Sequence, residues 1–99
     1  MIEREEIPGS PEVLIRFRLV GATWADRVNL VGDFNNWDTR SIPMERDPDG
    51  LSWSIAVRLL AGKTVQFRYL IDGRTWQNDW YADDFVPNAF GSENSVLEL

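Results

Sequence analysis

The chain of 99 residues contains neither cysteine nor histidine. Without cysteine it has no disulfide framework and no thiolate metal site. Without histidine it lacks the commonest general base, the commonest transition-metal ligand and every catalytic triad that depends on imidazole. Asp47 and Asp49 suggest a calcium-binding loop, but Arg58 stands where that loop needs its twelfth-position carboxylate. We therefore expect no metal site and no cofactor.

Positive charge is also scarce, with 10 basic against 16 acidic residues and a net charge of −6. Nucleic acids and anionic membranes both require a basic surface, and the longest basic grouping is Arg16 with Arg18. No apolar run is long enough to span a membrane, and the first ten residues are charged where a signal peptide is apolar. We expect a cytoplasmic protein with no nucleic-acid or membrane partner, and a neutral or apolar ligand fits this balance of charge better.

The fold class follows from length and alternation. A chain of this length, 43% hydrophobic and 12% aromatic, is sufficient for one globular domain. Residues 1–11 are predicted to be a polar lead-in ending in a Pro-Gly-Ser-Pro loop. No window has sustained helical periodicity, whereas short alternating runs separated by turn signals predict an all-β, immunoglobulin-like antiparallel β-sandwich over residues 12–99.

The alternation also predicts which side chains face the core. In the first strand Val13 to Leu19 alternate inward, while Arg16 and Arg18 face outward. The strand at 64–71 places Val65, Phe67, Tyr69 and Ile71 inward by the same rule. Further strands are predicted at 27–32, 41–45 (an edge strand interrupted by Pro43), 51–59 and 95–99.

Loop carboxylates are the first candidates for catalysis, because glycosidases need only two of them. The loop aspartates are Asp33, Asp38, Asp79, Asp83 and Asp84. Aspartate in a loop ordinarily accepts hydrogen bonds from nearby backbone amides. A catalytic pair needs a cleft that raises one pKa, and a sandwich of this size has little room for it. We therefore expect a protein that is not an enzyme.

The five tryptophans suggest ligand binding more strongly than the loop carboxylates suggest catalysis. Trp53 has the inward parity of its strand and is predicted to lie in the core. Trp37, Trp76 and Trp80 lie in loops, where they either fold back as lids over the core or form exposed platforms, and Trp24 is compatible with the core edge or the surface. A flat indole face binds the apolar C–H face of a sugar ring, and planar amides with a fixed charge bind its hydroxyls.

Four segments carry a resemblance to a known family: VGDFNNW at 31–37, FRYLIDG at 67–73, Trp76, and GSEN at 91–94. Over about Val13 to Leu99 the chain resembles the family 48 carbohydrate-binding modules. These "early set" domains occur at the N-terminus of isoamylase and glycogen-branching enzymes and as the glycogen-binding domain of the AMP-activated kinase β-subunit. The resemblance implies a sandwich of seven to eight strands that binds α-1,4-glucan (glycogen, starch or maltooligosaccharides) on one open face.

The same resemblance implies roles for five residues. Trp37 and Trp76 correspond to the stacking pair, and Arg68 stands where the kinase domain has a lysine that bonds sugar hydroxyls. Asn94 matches an asparagine that does the same, and Phe90 falls where a leucine protrudes into the sugar coil. Some enzyme-attached members have lost the sugar site. The alternative function is therefore a structural or protein-docking domain associated with an amylolytic (glycoside hydrolase family 13) enzyme, and the possible partner is a glucan-active enzyme.

The orientation of Trp76 depends on the turn that precedes it. A two-residue type I′ turn at Asp72-Gly73 would pair Ile71 with Arg74. Trp76 would then lie opposite Tyr69 and face the core.

A three-residue loop with Gly73 in the left-handed conformation would instead pair Leu70 with Arg74. Trp76 would then lie directly opposite Arg68 on the outer face. We expect this second arrangement, because only it brings the stacking ring and the hydrogen-bond donor to one sugar.

Overall fold

The computed structural model describes residues 1–99 and contains nine β-strands and one 3₁₀ turn. The strands are β1 Ile2–Glu6, β2 Glu12–Val20, β3 Val28–Gly32, β4 Glu45–Arg46, β5 Ser52–Leu60, β6 Thr64–Ile71, β7 Thr75–Gln77, β8 Asp84–Pro87 and β9 Glu93–Glu98. The 3₁₀ turn is Asp33–Asn35. No helical segment has the length and apolar character of a membrane span.

The strands form two antiparallel sheets. Sheet A has the order β1-β2-β5-β4, and sheet B has the order β3-β6-β9-β8. The short β7 shares one edge of β6 with β9, since β9 pairs with Thr64–Phe67 and β7 with Tyr69–Ile71. The predicted immunoglobulin-like β-sandwich is confirmed. It has nine strands instead of the seven to eight that the resemblance implies, because the count includes two very short strands, β4 with two residues and β7 with three.

The core lies between the sheets, where the predicted inward residues meet. All four inward side chains of β2 are buried, and so are all four of β6. Phe67 is at the centre, with its ring centroid 4.9 Å from that of Phe17 and 5.8 Å from that of Tyr69. Trp53 is in the core as predicted, only 5% exposed, and its indole N–H donates to the Ala22 carbonyl at 3.2 Å.

The predicted polar lead-in contains a strand. Its residues Ile2–Glu6 form β1, which pairs along its length with β2 at the edge of sheet A. Of the positions that face the core side, only Ile2 packs against the core cluster, while Arg4 and Glu6 are exposed and form an ion pair at 3.4 Å. Inward-pointing charges protect an edge strand from pairing with other chains, and they also conceal its alternation in the sequence.

The segment predicted as an edge strand at 41–45 passes from one sheet to the other. Its first part pairs with β3: the Leu30 amide donates to the Ile42 carbonyl at 2.9 Å and the Met44 amide to the Val28 carbonyl at 2.8 Å. It continues into β4, which pairs with β5 in sheet A. Pro43 is tolerated because it lies on an edge, where a missing N–H breaks no ladder.

Asp79 is the one loop aspartate that is buried, with a side chain 2% exposed. Its carboxylate accepts hydrogen bonds from the Tyr69 hydroxyl at 2.7 Å, the Tyr81 amide at 2.8 Å and the Met1 ammonium at 2.9 Å. Burial and the neighbouring Asp79 carboxylate raise the pKa of Tyr69, which remains a donor. Asp79 therefore ties the loop after β7 to the core.

Candidate functional site

The five residues singled out by the resemblance line one open groove of about 580 Å³ on the outer side of sheet B. The groove is formed by the loop after β3, by β6 and β7, by the last residue of β8 with the β8–β9 connection, and by Asn94 of β9. Its lining residues are Trp37, Thr39, Gln66, Arg68, Trp76, Pro87, Asn88, Ala89, Phe90 and Asn94.

Trp37 reaches the groove through an unusual backbone. Asn36 and Trp37 have φ values of 56° and 57°, so two consecutive non-glycine residues are left-handed. The Trp37 amide donates to the Gly32 carbonyl at 2.8 Å. The Asn35 side chain accepts from the Gly32 amide at 3.0 Å, which closes the loop on itself. This loop places Trp37 at the groove, 37% exposed and outside the core cluster.

The residues before Trp37 anchor its loop to β6. A β-carbon on Gly32 would lie 2.6 Å from the Gln66 carbonyl oxygen and 2.5 Å from the Phe34 ring, so only glycine fits there. The Asp33 carboxylate accepts from the backbone N–H of Gln66 at 3.1 Å. Phe34 packs beside Phe17, with ring centroids 6.1 Å apart. Most of the GDFNNW motif thus serves to hold the loop that exposes the Trp37 ring.

Trp76 faces outward as predicted, but the predicted pairing is wrong. Leu70 pairs with Trp76 and Ile71 with Thr75, whereas we expected Leu70 opposite Arg74. The register moves by two residues, which keeps every side chain on its expected face. Trp76 is 40% exposed and lies diagonally from Arg68 rather than opposite it.

The register differs because the turn is held from outside the hairpin. Asp72 and Gly73 both have positive φ, at 53° and 69°, and the Arg74 amide donates to the Ile71 carbonyl at 3.0 Å. The Asp72 carboxylate accepts from the backbone amide of Arg27 at 3.0 Å and from that of the residue before it at 2.8 Å. The Arg27 bond is the main reason that the pKa of Asp72 is lowered. Because Ile71 pairs with Thr75, the connection between β6 and β7 has three residues, and Arg74 is the one added to the two-residue turn of Asp72 and Gly73.

Arg68 joins the two sides of the groove. Its guanidinium carbon lies 5.5 Å from the Trp76 ring centroid, within the range of a cation–π contact. Its Nη2 donates to the Ser92 hydroxyl at 3.3 Å, and its Nε is buried without a partner. Burial lowers the pKa of Arg68, but an arginine stays charged at neutral pH.

Asn94 lies between two further carboxamides that sequence analysis missed. Asn88 Nδ2 donates to Asn94 Oδ1 at 3.1 Å, and Asn94 Nδ2 donates to Gln66 Oε1 at 3.1 Å. The outward parity that Gln66 shares with Arg68 was a signal for its presence in the groove. Asn88 gave no such signal, since nothing in the sequence places its loop beside β6.

Phe90 and the remaining aromatic residues are highly exposed. Phe90 is 93% exposed in the loop between β8 and β9, at the groove. Trp24, Trp80 and Tyr81 are also exposed but lie outside the groove. The lid interpretation is therefore wrong for the loop tryptophans, because none of them belongs to the core cluster.

Comparison with known proteins identifies relatives. The model of carbohydrate-binding module 48 (isoamylase N-terminal domain) matches residues 14–86. A 1,4-alpha-glucan branching enzyme GlgB from Burkholderia pseudomallei is 41% identical over 68 residues, which cover 67% of this chain and 8% of that enzyme. The enzyme of the same name from Aquifex aeolicus is 38% identical over 66 residues, which cover 64% of this chain and 10% of that enzyme. The chain thus spans a tenth or less of the length of these relatives.

A solved structure shares the fold. The enterobactin esterase FES from Shigella flexneri, in the presence of enterobactin, superposes with a TM-score of 0.80 at 12% identity, covering 99% of this chain and 32% of that one. At this identity the likeness shows the fold alone. The family match is the stronger finding, because it covers most of the sandwich. The chain belongs to the carbohydrate-binding module 48 (isoamylase N-terminal domain) family.

Proposed function

We propose that the domain binds α-1,4-glucan chains such as glycogen, starch or maltooligosaccharides in the groove, with glucose units stacked on Trp37 and Trp76. The observation that carries the proposal is that two exposed indoles line one groove together with Arg68. An indole face buries the apolar face of a pyranose without desolvating its hydroxyls. The guanidinium and the amides supply planar donors for those hydroxyls.

The groove chemistry also supports binding without catalysis. None of the residues that line it is an aspartate or a glutamate. Hydrolysis of a glycosidic bond by the usual route needs two carboxylates on either side of that bond. We propose that the domain is not an enzyme, which requires that the purified protein release no product from a chromogenic glucan.

A second candidate is a docking role beside a glucan-active enzyme. The curated relatives are glucan branching enzymes of which this chain matches a tenth or less, so in those proteins a similar domain is attached to a much longer chain. We propose such an enzyme as the partner in this role. A cytoplasmic location and the lack of a nucleic-acid or membrane partner stay predictions.

The glucan proposal is tested by native electrophoresis through gels with and without glycogen, whose many chain ends raise the effective concentration of weak sites. The wild-type domain should be retarded by glycogen. Trp37→Ala and Trp76→Ala should each weaken binding by at least about 1 kcal/mol, roughly a fivefold rise in Kd. Trp80→Ala is the matched control, because Trp80 is 81% exposed and outside the groove. Equal mobility of wild-type protein in both gels would leave only the docking role.

A further inference from the structure

Three carboxamides form one chain of hydrogen bonds across the groove, which we call the amide chain: Asn88 to Asn94 to Gln66. Each link has the same direction, from the amide nitrogen of one residue to the amide oxygen of the next, and each measures 3.1 Å. A carboxamide has a donor side and an acceptor side, so a half-turn of any member would place like against like. The orientation of the whole chain is therefore set by whatever fixes one end.

The backbone of the β8–β9 loop fixes the Asn88 end. The amides of Phe90 and Ser92 approach the Asn88 side chain at 2.9 and 3.2 Å. A backbone N–H can only donate, so both must meet the Asn88 oxygen. Asn88 Nδ2 then faces Asn94, which must present its oxygen to it, and Asn94 Nδ2 consequently faces Gln66 Oε1.

The free end of the amide chain is the Gln66 nitrogen. Gln66 Nε2 has no hydrogen-bond partner in the protein, and Gln66 lines the groove two residues before Arg68 on the same face of β6. Asn94 differs, because it is only 9% exposed and uses both of its polar side-chain atoms within the chain.

We propose that Gln66 is a ligand-binding residue whose two Nε2 hydrogens are donated to sugar oxygens, and that Asn88 is a positioning residue that gives Gln66 this polarity. The proposal rests on the proposed function and deepens it. Gln66 Nε2 and the Arg68 guanidinium then place donors side by side in this part of the groove, where the oxygens of a neutral sugar can accept from them.

Two substitutions at Gln66 remove the donors. Gln66→Met introduces no charge and removes the whole amide. Gln66→Glu introduces a negative charge but keeps an oxygen that can still accept from Asn94. Each should raise the Kd for maltoheptaose about threefold to tenfold, the loss expected for one or two net hydrogen bonds. The melting temperature of Gln66→Glu should stay close to that of the wild type, whereas Gln66→Met leaves Asn94 Nδ2 without its acceptor and should lower the melting temperature. Agreement between the neutral and the charged variant shows that the loss is of donors and is not an effect of added charge.

Asn88→Asp tests the positioning role. A carboxylate at residue 88 still accepts from the amides of Phe90 and Ser92 but donates nothing, so Asn94 must turn its nitrogen toward Asp and its oxygen toward Gln66. Gln66 then donates to Asn94 and presents its oxygen to the groove. The Kd for maltoheptaose should rise to a similar extent, although residue 88 makes no donor contact with the sugar in this scheme.

Nuclear magnetic resonance of the Gln66 side-chain amide gives a readout that a structural role alone would not change. In the wild type its two proton signals should shift when maltoheptaose is added. In Asn88→Asp one of the two protons is already bonded to Asn94 Oδ1 in the free protein, and its signal should shift little. Wild-type binding that Trp76→Ala weakens, but that Gln66→Met leaves unchanged, would overturn the amide proposal alone. A wild type that binds no glucan would overturn this proposal and the proposed function together.

Discussion

The guanidinium of Arg68 lies over the indole of Trp76, with its central carbon 5.5 Å from the ring centroid. Arg68, a candidate for hydrogen bonding to sugar hydroxyls, and Trp76, a candidate for stacking, are therefore in direct contact. Arg68 holds the ring from one side and, through Ser92, holds the loop that carries Phe90. A contact of this kind contributes about 0.5–1 kcal/mol at an exposed site, enough to bias the orientation of the ring.

The first prediction concerns this pair. Arg68→Met keeps an apolar stem but removes the charge and its donors, and it should weaken glucan binding by about 1–2 kcal/mol. Arg68→Lys should lose less, because lysine keeps the charge but not the planar fork. Titration calorimetry of both variants, of Trp76→Ala and of the double variant with Arg68→Met gives a coupling energy. Strictly additive losses would contradict the idea that Arg68 positions the ring.

The second prediction separates core from surface tryptophans. Trp53 is 5% exposed, so Trp53→Ala should lower the free energy of unfolding by about 3–5 kcal/mol. Trp80→Ala should change it by less than about 0.5 kcal/mol, because that ring is 81% exposed. Denaturation in urea measures both. A Trp53→Ala domain as stable as the wild type would be incompatible with the packing between the sheets.

The sequence predicted best what depends on local alternation. Which side chains of β2 and β6 face the core follows from the alternation of apolar and polar residues. Both strands show this alternation because each has only one face on the core. It failed where the controlling contact is distant in the chain. The pairing of Trp76 depends on Asp72 binding the amides of Asp26 and Arg27, more than forty residues away.

The candidate site divides in the same way. Trp37 and Arg68 belong to recognisable motifs, whereas Asn88 enters the groove through hydrogen bonds within a loop and to β9. Strand β1 was not predicted for another reason. Arg4 and Glu6 occupy its inward positions, where apolar residues would have shown the alternation of a strand. A charged edge strand is identified by its backbone pairing and not by its side chains.

The third prediction tests the support of Trp37. Gly32 has an extended backbone, with φ of −162°, so alanine suits its conformation and the cost of Gly32→Ala is steric alone. The new methyl would lie 2.6 Å from the backbone oxygen of Gln66, which cannot move without shifting β6. We expect a loss of about 1–3 kcal/mol in stability, measured by urea denaturation, and weaker glucan binding.

Trp37→Ala is the control for this loop, because it removes the ring and leaves Gly32 in place. It should reduce binding with little change in stability. Unchanged stability of Gly32→Ala would show that the loop does not need the close approach of β3 and β6.

The fourth prediction concerns acid. The Asp47 carboxylate accepts from the hydroxyls of Ser52 and Ser54 and pairs with Arg18 at 3.3 Å. The Ser52 bond is the main cause of a lowered pKa at Asp47, and burial opposes it. A group whose pKa is lower in the folded state stabilises the fold above its ordinary pKa of about 3.9, and this contribution is lost as the pH falls below that value.

Asp47→Asn should therefore be less stable than the wild type at pH 7, and the difference should shrink as the pH falls below about 4. Urea midpoints at a series of pH values measure it. A difference that stays constant down to pH 3 would mean that ionisation of Asp47 does not contribute to stability.

The two sheets divide the surface of the domain, since no residue that lines the groove lies on sheet A. Ala56 is exposed on the outward face of β5, in the middle of that sheet. Because the chain has no cysteine of its own, a single Ala56→Cys substitution introduces a unique thiol on the side away from the groove. Molecules coupled to a solid support through that thiol all present the groove outward, which makes the domain suited to oriented capture surfaces.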